Sequence, residues 1–187
     1  KMDPDIPCRW SENGCASNGG SFKYVTVDST QYAEFNQSEL LDSMHRVFRK
    51  SWQYEAMCEQ GNHDPERYFQ YYIDVIAFAR KSGMLNLNLL YVDDELIAFD
   101  MNIVYRNVVY MLFGVYDQDF SEYSPGNTML MEIIKSSIAA GNEVIEFGGD
   151  HLEYKTRWTN DCQNSYHLRL WGKTIRGRVA CLLKTNK

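Results

Sequence analysis

Four short runs of the chain have the hydrophobic pattern of β-strands. Residues 22–27 alternate aromatic or β-branched side chains with polar ones, and the runs 85–92, 95–105 and 108–116 are rich in Leu, Ile, Val and aromatic residues. Two residues separate the second run from the third, and two separate the third from the fourth. Connections of this length form hairpin turns. The pattern therefore predicts one strand near the start and a later antiparallel meander of three strands.

Two segments before the meander have apolar residues at helical spacing. The first stripe begins after Ser38, a suitable helix cap, and consists of Leu40, Leu41, Met44, Val47, Phe48 and Trp52. The second segment, 64–82, has Pro65 in its first turn and Gly83 just past its end. A single apolar stripe needs a cover, so helices 38–52 and 64–82 are predicted to pack on the meander.

A third helix follows the meander. Ser124 at the cap, Pro125 at the first position and Gly141 at the exit delimit residues 125–140. Its apolar face is expected to contain Leu130, Ile133, Ile134 and Ile138. Strands are predicted at 144–147 and 165–171, and a terminal amphipathic helix at 174–184. A meander followed by a strand–helix–strand unit predicts an α+β fold, with a mixed, mostly antiparallel sheet flanked by helices.

The junction between the meander and the third helix has the layout of an anion site. A strand that ends at Tyr116 leads through a turn into a helix N-terminus, where backbone N–H groups and the helix dipole favour a phosphate. Ser124, Gly126, Asn127 and Thr128 are the candidate binding residues. Gly126 lets a pyrophosphate approach without a Cβ in the way.

Carboxylates follow on the next strand. Glu146 lies within the strand, Asp150 follows Gly148-Gly149, and Tyr154-Lys155 come shortly after. Asp150 and Glu146 are candidate proton acceptors, Tyr154 is a candidate proton donor to a leaving thiolate, and Lys155 is a candidate partner for a substrate anion or for Asp150.

Another pair of polar residues interrupts an apolar strand. Asp100 and Asn102 share one face of the strand 95–105. They either line an acceptor pocket or face solvent.

The ordered elements from Leu85 to Trp158, with Tyr-Ser-Pro-Gly, Gly-Gly-Asp and Tyr-Lys at their junctions, resemble a GNAT-type acyltransferase domain. Within that superfamily the chain is similar to the cellulose-biosynthesis (CelD-like) group, which is related to the Fem-type aminoacyl ligases, and the resemblance covers roughly residues 38–172. Ser51-Trp52 also matches a recurring pair of that group. The resemblance implies a GNAT fold, acetyl-CoA or another acyl-CoA as co-substrate, and site positions at Asp150, Tyr154 and Lys155.

One feature departs from the resembled pattern. The usual pyrophosphate loop of GNAT enzymes has a Gln/Arg-x-x-Gly-x-Gly/Ala character, whereas this loop contains one glycine, Gly126. Full members of the resembled group usually have two related domains. A second GNAT-like domain or a homodimer therefore stays open as a partner.

Composition narrows the class of protein. The 187 residues fit an arm at 1–20 and one domain at 21–187, and the net charge of −6 disfavours nucleic acid as a partner. No apolar run is long enough to span a membrane. The five cysteines are scattered and the four histidines form no ligand motif, so the sequence predicts reduced thiols, no metal and a cytoplasmic location.

The resemblance thus implies an enzyme that moves an acyl group, with acetyl as the expected one, from acyl-CoA to an amine of a small metabolite, amino sugar or cell-envelope precursor. Two alternatives stay open. One is Fem-like aminoacyl transfer from aminoacyl-tRNA, which the acidic charge disfavours. The other is a catalytically silent binding module with the same fold.

Overall fold

The computed structural model describes residues 22–61, 64–148, 153–162 and 174, and the chain divides into two units at Gly148/Gly149. The strands of the first unit are β1 (Phe22–Asp28), β2 (Leu85–Val92), β3 (Glu95–Tyr105), β4 (Val108–Tyr116) and β5 (Val144–Glu146). Its α-helices are α1 (Gln37–Arg49), α2 (Trp52–Gln60), α3 (Pro65–Lys81) and α4 (Pro125–Ala139). Two 3₁₀ helices cover Gln31–Glu34 and Gln118–Tyr123. In the second unit, α5 covers Glu153–Thr156.

The five strands form one sheet in the order β1-β2-β3-β4-β5. All neighbours are antiparallel except β5, which runs parallel to β4. The predicted meander is confirmed with its boundaries. Both hairpins turn on two residues with positive φ, Asp93-Asp94 and Arg106-Asn107, the conformation that matches the twist of the flanking strands.

Helices α1 and α3 pack on one face of the meander, as predicted. Their buried residues share one core with the sheet, and this core includes Met44, Val47 and Phe48 of α1, Phe69, Ile76 and Ala79 of α3, and Leu87, Phe99 and Phe113 of the strands. The Phe48 ring stacks on Phe69 at a centroid distance of 5.2 Å. This core fixes the position of α1 relative to β4.

The first predicted helix is two helices. Helix α1 ends at Arg49, and buried Ser51 caps α2 by accepting a hydrogen bond from the Tyr54 N–H. Trp52 is therefore not part of the α1 stripe, and its side chain is 50% exposed. The predicted cap of α1 was also wrong, since the Asn36 side chain caps it by accepting from the Glu39 N–H.

Helix α4 covers the opposite face of the sheet. Met129 and Ile133 pack there against Leu90, Ile97 and Ala98. Ile138, predicted on the apolar face, is 71% exposed because it lies in the last turn. The structure otherwise confirms the predicted helix and the strand that follows it.

Several predictions fall outside the described residues: the arm at 1–20, the strand at 165–171 and almost all of the helix at 174–184. Among the described helices, none is both long enough and apolar enough to cross a membrane. Cys58 and Cys162 are free and exposed.

Candidate active site

Strand β4 extends well beyond its pairing with β5. The two strands pair only at Val108–Tyr110 and Val144–Glu146, whereas β4 continues to Tyr116. Six residues of extended chain separate Tyr110 from Tyr116, which is about 20 Å. In the described part of the chain no strand pairs with this stretch on the side away from β3. We call residues 111–116 on that side the open edge of β4.

Gly114 exposes its backbone polar groups at the open edge. Its carbonyl accepts a hydrogen bond of 2.9 Å from Gln53 Nε2 of α2, so this carbonyl points away from β3. Alternate residues of a strand direct their N–H and C=O to the same side, and Tyr116 therefore does so as well. The open edge can pair with another extended chain.

The open edge leads into a loop that is clamped to α1. A tight turn was predicted here, but the chain forms the Gln118–Tyr123 3₁₀ helix, capped by the Asp117 side chain. Lys50 Nζ lies 2.7 Å from Asp119 Oδ2 and 3.2 Å from Asp117 Oδ2, and its backbone oxygen accepts from the Gln118 N–H. Hydrogen bonds to Asp119 and Asp117 raise the pKa of Lys50. The clamp neutralises acidic charge just before α4.

The N-terminus of α4 presents two backbone donors. The N–H groups of Gly126 and Asn127 have no hydrogen-bond partner among the described residues. Gly126 is exposed, and a Cβ placed on it would lie 3.6 Å from the Tyr116 ring. The donors therefore lie beside the end of the open edge, which is the arrangement that an anion with an extended tail requires.

Two local predictions for this turn were wrong: the Thr128 amide is not free, and the Ser124 side chain does not cap α4. The Thr128 N–H donates to the Ser124 carbonyl at 3.1 Å and Thr128 is buried, so this amide is not available to a ligand. Ser124 occupies the cap position, but its φ of 53° places it in the left-handed region, and its side chain forms no cap hydrogen bond.

Glu146 lies where the pairing of β4 with β5 ends and the open edge of β4 begins. It lies directly across from Tyr110 in the last paired row of β4 and β5, and it is half-buried. Two residues later Gly148 has φ 75°, and a Cβ there would lie 3.4 Å from the Met111 carbonyl, so the chain turns close against β4. Glu146 is thus the candidate carboxylate that the structure places beside β4.

The other predicted catalytic residues belong to the second unit. Asp150 lies outside the described residues, as does the Tyr154 side chain. Lys155 is half-buried in α5, in the second unit. Their roles remain predictions.

A polar cluster, fully buried only at Asn88, Asp100 and Asn102, lies between the sheet and α4. It consists of Tyr24, Thr26, Asn86, Asn88, Asp100 and Asn102. The Asn88 Oδ1 accepts from Tyr24 at 2.6 Å and from Thr26 at 3.1 Å, and Asn88 Nδ2 donates to Asn86 at 2.8 Å. Tyr24 also contacts Ser136 of α4 at 3.2 Å between the two hydroxyl oxygens. The interpretation of Asp100 and Asn102 as solvent-facing residues is therefore wrong.

Asp100 is the carboxylate of this cluster, and it lies over Gly114. The two residues are paired across β3 and β4, and a Cβ on Gly114 would lie 2.1 Å from Asp100 Oδ2. Among the described groups, Asp100 Oδ1 has no hydrogen-bond partner. Burial raises the pKa of Asp100 to about 7, and a hydrogen bond from Asn102 opposes this rise. The absence of a side chain at Gly114 gives this carboxylate its space.

Sequence reasoning missed Gln53 and Gly114. Gln53 was assigned to no site because α2 was not recognised, although Ser51 is a good cap residue. A glycine within a strand is itself a signal of close approach by another group, which is how Gly114 could have been found.

The fold and this edge are those of the acyl-CoA N-acyltransferase class: a mixed sheet flanked by helices, in which two parallel strands separate and the longer one, β4, continues to a helix N-terminus. The family model described as "Acetyltransferase (GNAT) domain" matches residues 22–156. The chain therefore belongs to this family and is an acyl-CoA-dependent N-acyltransferase.

Solved structures are similar to the chain in fold. A possible acetyltransferase from Clostridium difficile 630 has 13% identity and a TM-score of 0.57, and the match covers 80% of this chain and 97% of that one. A GNAT family acetyltransferase from Staphylococcus aureus has 14% identity and a TM-score of 0.51, with coverage of 79% and 98%. An aminoglycoside acetyltransferase from an uncultured soil metagenomic sample, in complex with trehalose, has 11% identity and a TM-score of 0.50, with coverage of 81% and 97%. The comparison with curated proteins gave no match.

Proposed function

We propose that the protein transfers an acetyl group from acetyl-CoA to the amine of a small metabolite, an amino sugar or a cell-envelope precursor. One observation carries the proposal: the open edge of β4 ends beside the N–H groups of Gly126 and Asn127, which no other described residue accepts from. The first feature suits an extended chain of amides, and the second suits a phosphate.

Coenzyme A has both parts in the required order. Its pyrophosphate would lie at Gly126 and Asn127, and its pantetheine arm would run along β4 from Tyr116 towards Tyr110. The thioester would then lie where the pairing of β4 with β5 ends, beside Glu146. Ser124 and Thr128 would support the loop without donating to the anion.

The transfer needs one proton acceptor. The amine nitrogen attacks the thioester carbonyl carbon, the C–N bond forms, and the C–S bond breaks. A carboxylate takes the proton that the nitrogen loses, and the leaving thiolate takes up a proton. We assign the acceptor to Asp150, with Glu146 as the alternative. Tyr154 is the proposed donor to the thiolate, and Lys155 is proposed to orient an anionic group of the acceptor.

The proposed subgroup is the CelD-like one. Its recurring Ser-Trp pair corresponds to Ser51-Trp52, at the junction of α1 and α2, next to the Gln53 contact with β4. The exposed Trp52 ring would be available to an acceptor.

Acetyl-CoA should raise the melting temperature of the protein, because a ligand that binds only the folded state stabilises it. Release of free thiol from acetyl-CoA should then depend on an added amine, tested with glucosamine, ethanolamine and lysine. Absence of any thermal shift with acetyl-CoA would favour the silent-module alternative.

Gly126→Val should abolish acetyl-CoA binding and leave the fold intact. The new side chain would grow towards Tyr116, into the corner that the coenzyme must cross, and its Cβ has room at 3.6 Å. No Lys or Arg lies between Arg106 and Lys135, so the anion depends on backbone donors and the parent affinity should be about micromolar and salt-sensitive. Calorimetry measures the affinity for acetyl-CoA. Gly126→Ala adds a smaller side chain at the same position and serves as the control. Unchanged affinity in the valine variant would show that the pyrophosphate does not bind at this loop.

Asp150→Asn should lower turnover by roughly 100-fold, the usual scale for losing a general base, with little change in coenzyme affinity. Glu146→Gln is the parallel test, and Glu143→Gln, an exposed position just before β5, is the matched control. Steady-state kinetics with the best amine of the panel distinguish the two carboxylates. Full turnover in Asp150→Asn together with a loss of turnover in Glu146→Gln would show that Glu146 is the proton acceptor.

A further inference from the structure

The side chain of Gln53 occupies the open edge of β4 where the coenzyme arm is proposed to bind. Its Nε2 donates to the Gly114 carbonyl at 2.9 Å. A carbonyl oxygen only accepts, so the amide nitrogen of Gln53 must be the atom that faces it. This fixes the orientation of the carboxamide, so Oε1 is not the atom that contacts Gly114.

Within the described part of the chain, the Oε1 atom has no donor in this position. It is buried, and no hydrogen-bond partner is present among the described groups. A buried acceptor without a donor costs about 1–3 kcal/mol, which offsets much of what the Nε2 hydrogen bond contributes. The contact between Gln53 and Gly114 is therefore weakly held, although Gly114 offers a well-oriented acceptor.

An extended amide chain that joins β4 needs the same acceptor. Gly114 directs both its N–H and its C=O to the open edge, and a chain that adds to a strand edge pairs with such groups. The pantetheine arm carries two amides. One of its N–H groups would replace Gln53 Nε2 on the Gly114 carbonyl, and the released carboxamide would reach water with both of its polar atoms.

We infer that Gln53 is a latch on the open edge of β4, which the pantetheine arm of acyl-CoA displaces. The inference rests on the proposed binding of the coenzyme at this edge. It assigns to Gln53 a role in selecting ligands: a ligand must supply an amide N–H to open the latch. A nucleotide without the arm leaves the latch closed.

Two ligands distinguish the contribution of the pantetheine arm from that of the nucleotide. Coenzyme A contains the arm, and adenosine 3′,5′-bisphosphate lacks it. Gln53→Ala should bind coenzyme A about 3-fold more tightly than the parent, on the scale of one weakened hydrogen bond, and should bind the bisphosphate with unchanged affinity. Gln60→Ala, at the exposed end of the same helix, is the matched control and should change neither.

A direct measurement follows the latch itself. A nitrogen–proton NMR spectrum shows the side-chain amide signals of Gln53, which are assigned by their loss in Gln53→Ala. These signals should shift to solvent-exposed values with saturating coenzyme A. They should stay in place with the bisphosphate. Unmoved signals, or weaker or unchanged coenzyme A affinity in Gln53→Ala, would overturn the latch. Absence of coenzyme A binding by the parent would instead overturn the proposed function, and the latch with it.

Discussion

Gly114→Ala should destabilise the protein by about 3 kcal/mol, at the upper end of what overpacking costs in a core. The added Cβ would lie 2.1 Å from Asp100 Oδ2, well inside contact distance. Asp100 is buried below α4, so the carboxylate cannot move into solvent. Urea denaturation of the parent and the variant measures the difference in the free energy of unfolding.

A second substitution shows whether the contact is the cause. In an Asp100→Ala background the colliding atoms are absent, so adding Gly114→Ala should cost less than about 1 kcal/mol, near the ordinary scale of a strand substitution. The double-mutant cycle should therefore show strong coupling between these positions. If Gly114→Ala costs the same in both backgrounds, its effect comes from the backbone of β4 and not from Asp100.

Asp100→Asn should stabilise the protein on the order of 3 kcal/mol above pH 8 and make little difference at pH 4. The folded-state pKa of Asp100, about 7, lies above its ordinary value of 3.8. The folded state therefore binds the proton more tightly, and the stability that Asp100 contributes is complete below pH 4 and lost as the pH rises through 7. Asparagine resembles the protonated acid and has no such loss.

Melting temperatures of the two proteins between pH 4 and pH 9 test this sign. The curves should meet at the acidic end and separate progressively up to about pH 8. A constant difference across the range would mean that Asp100 does not titrate in this interval. The reverse order at alkaline pH would mean that the carboxylate is stabilised by a partner.

Most of the sheet was predictable because its boundaries have local signals. Two-residue turns with Asp, Arg and Asn delimit β2, β3 and β4, and Pro65 and Pro125 mark the starts of α3 and α4. These signals act within a few residues and do not depend on tertiary packing. The division between α1 and α2 was missed because Trp52 continues the 3.6-residue spacing that starts at Leu40.

The site was less predictable, since its key contacts depend on strand register. Counted from the Arg106-Asn107 turn, Asp100 would face Phe113. A bulge between Met101 and Asn102 shifts the pairing by one residue and brings Gly114 opposite Asp100. A bulge has no reliable sequence signal, and without it neither the space for the carboxylate nor the Gln53 contact can be inferred. The loop residues Gly126 and Asn127 were found because proline and glycine at a helix start have local meaning.

The open edge of β4 also has a consequence for self-association. A strand edge with unpaired backbone groups can pair with the same edge of another copy, which is a common route to aggregation. Here the flanking segment carries the exposed carboxylate Glu122, and a negative charge beside an edge repels a second copy. Gln53 occupies one of the exposed carbonyls from the same molecule. An arm bound along β4 would complete this protection, so the protein should be most resistant to aggregation in the same complex in which it is ready to react.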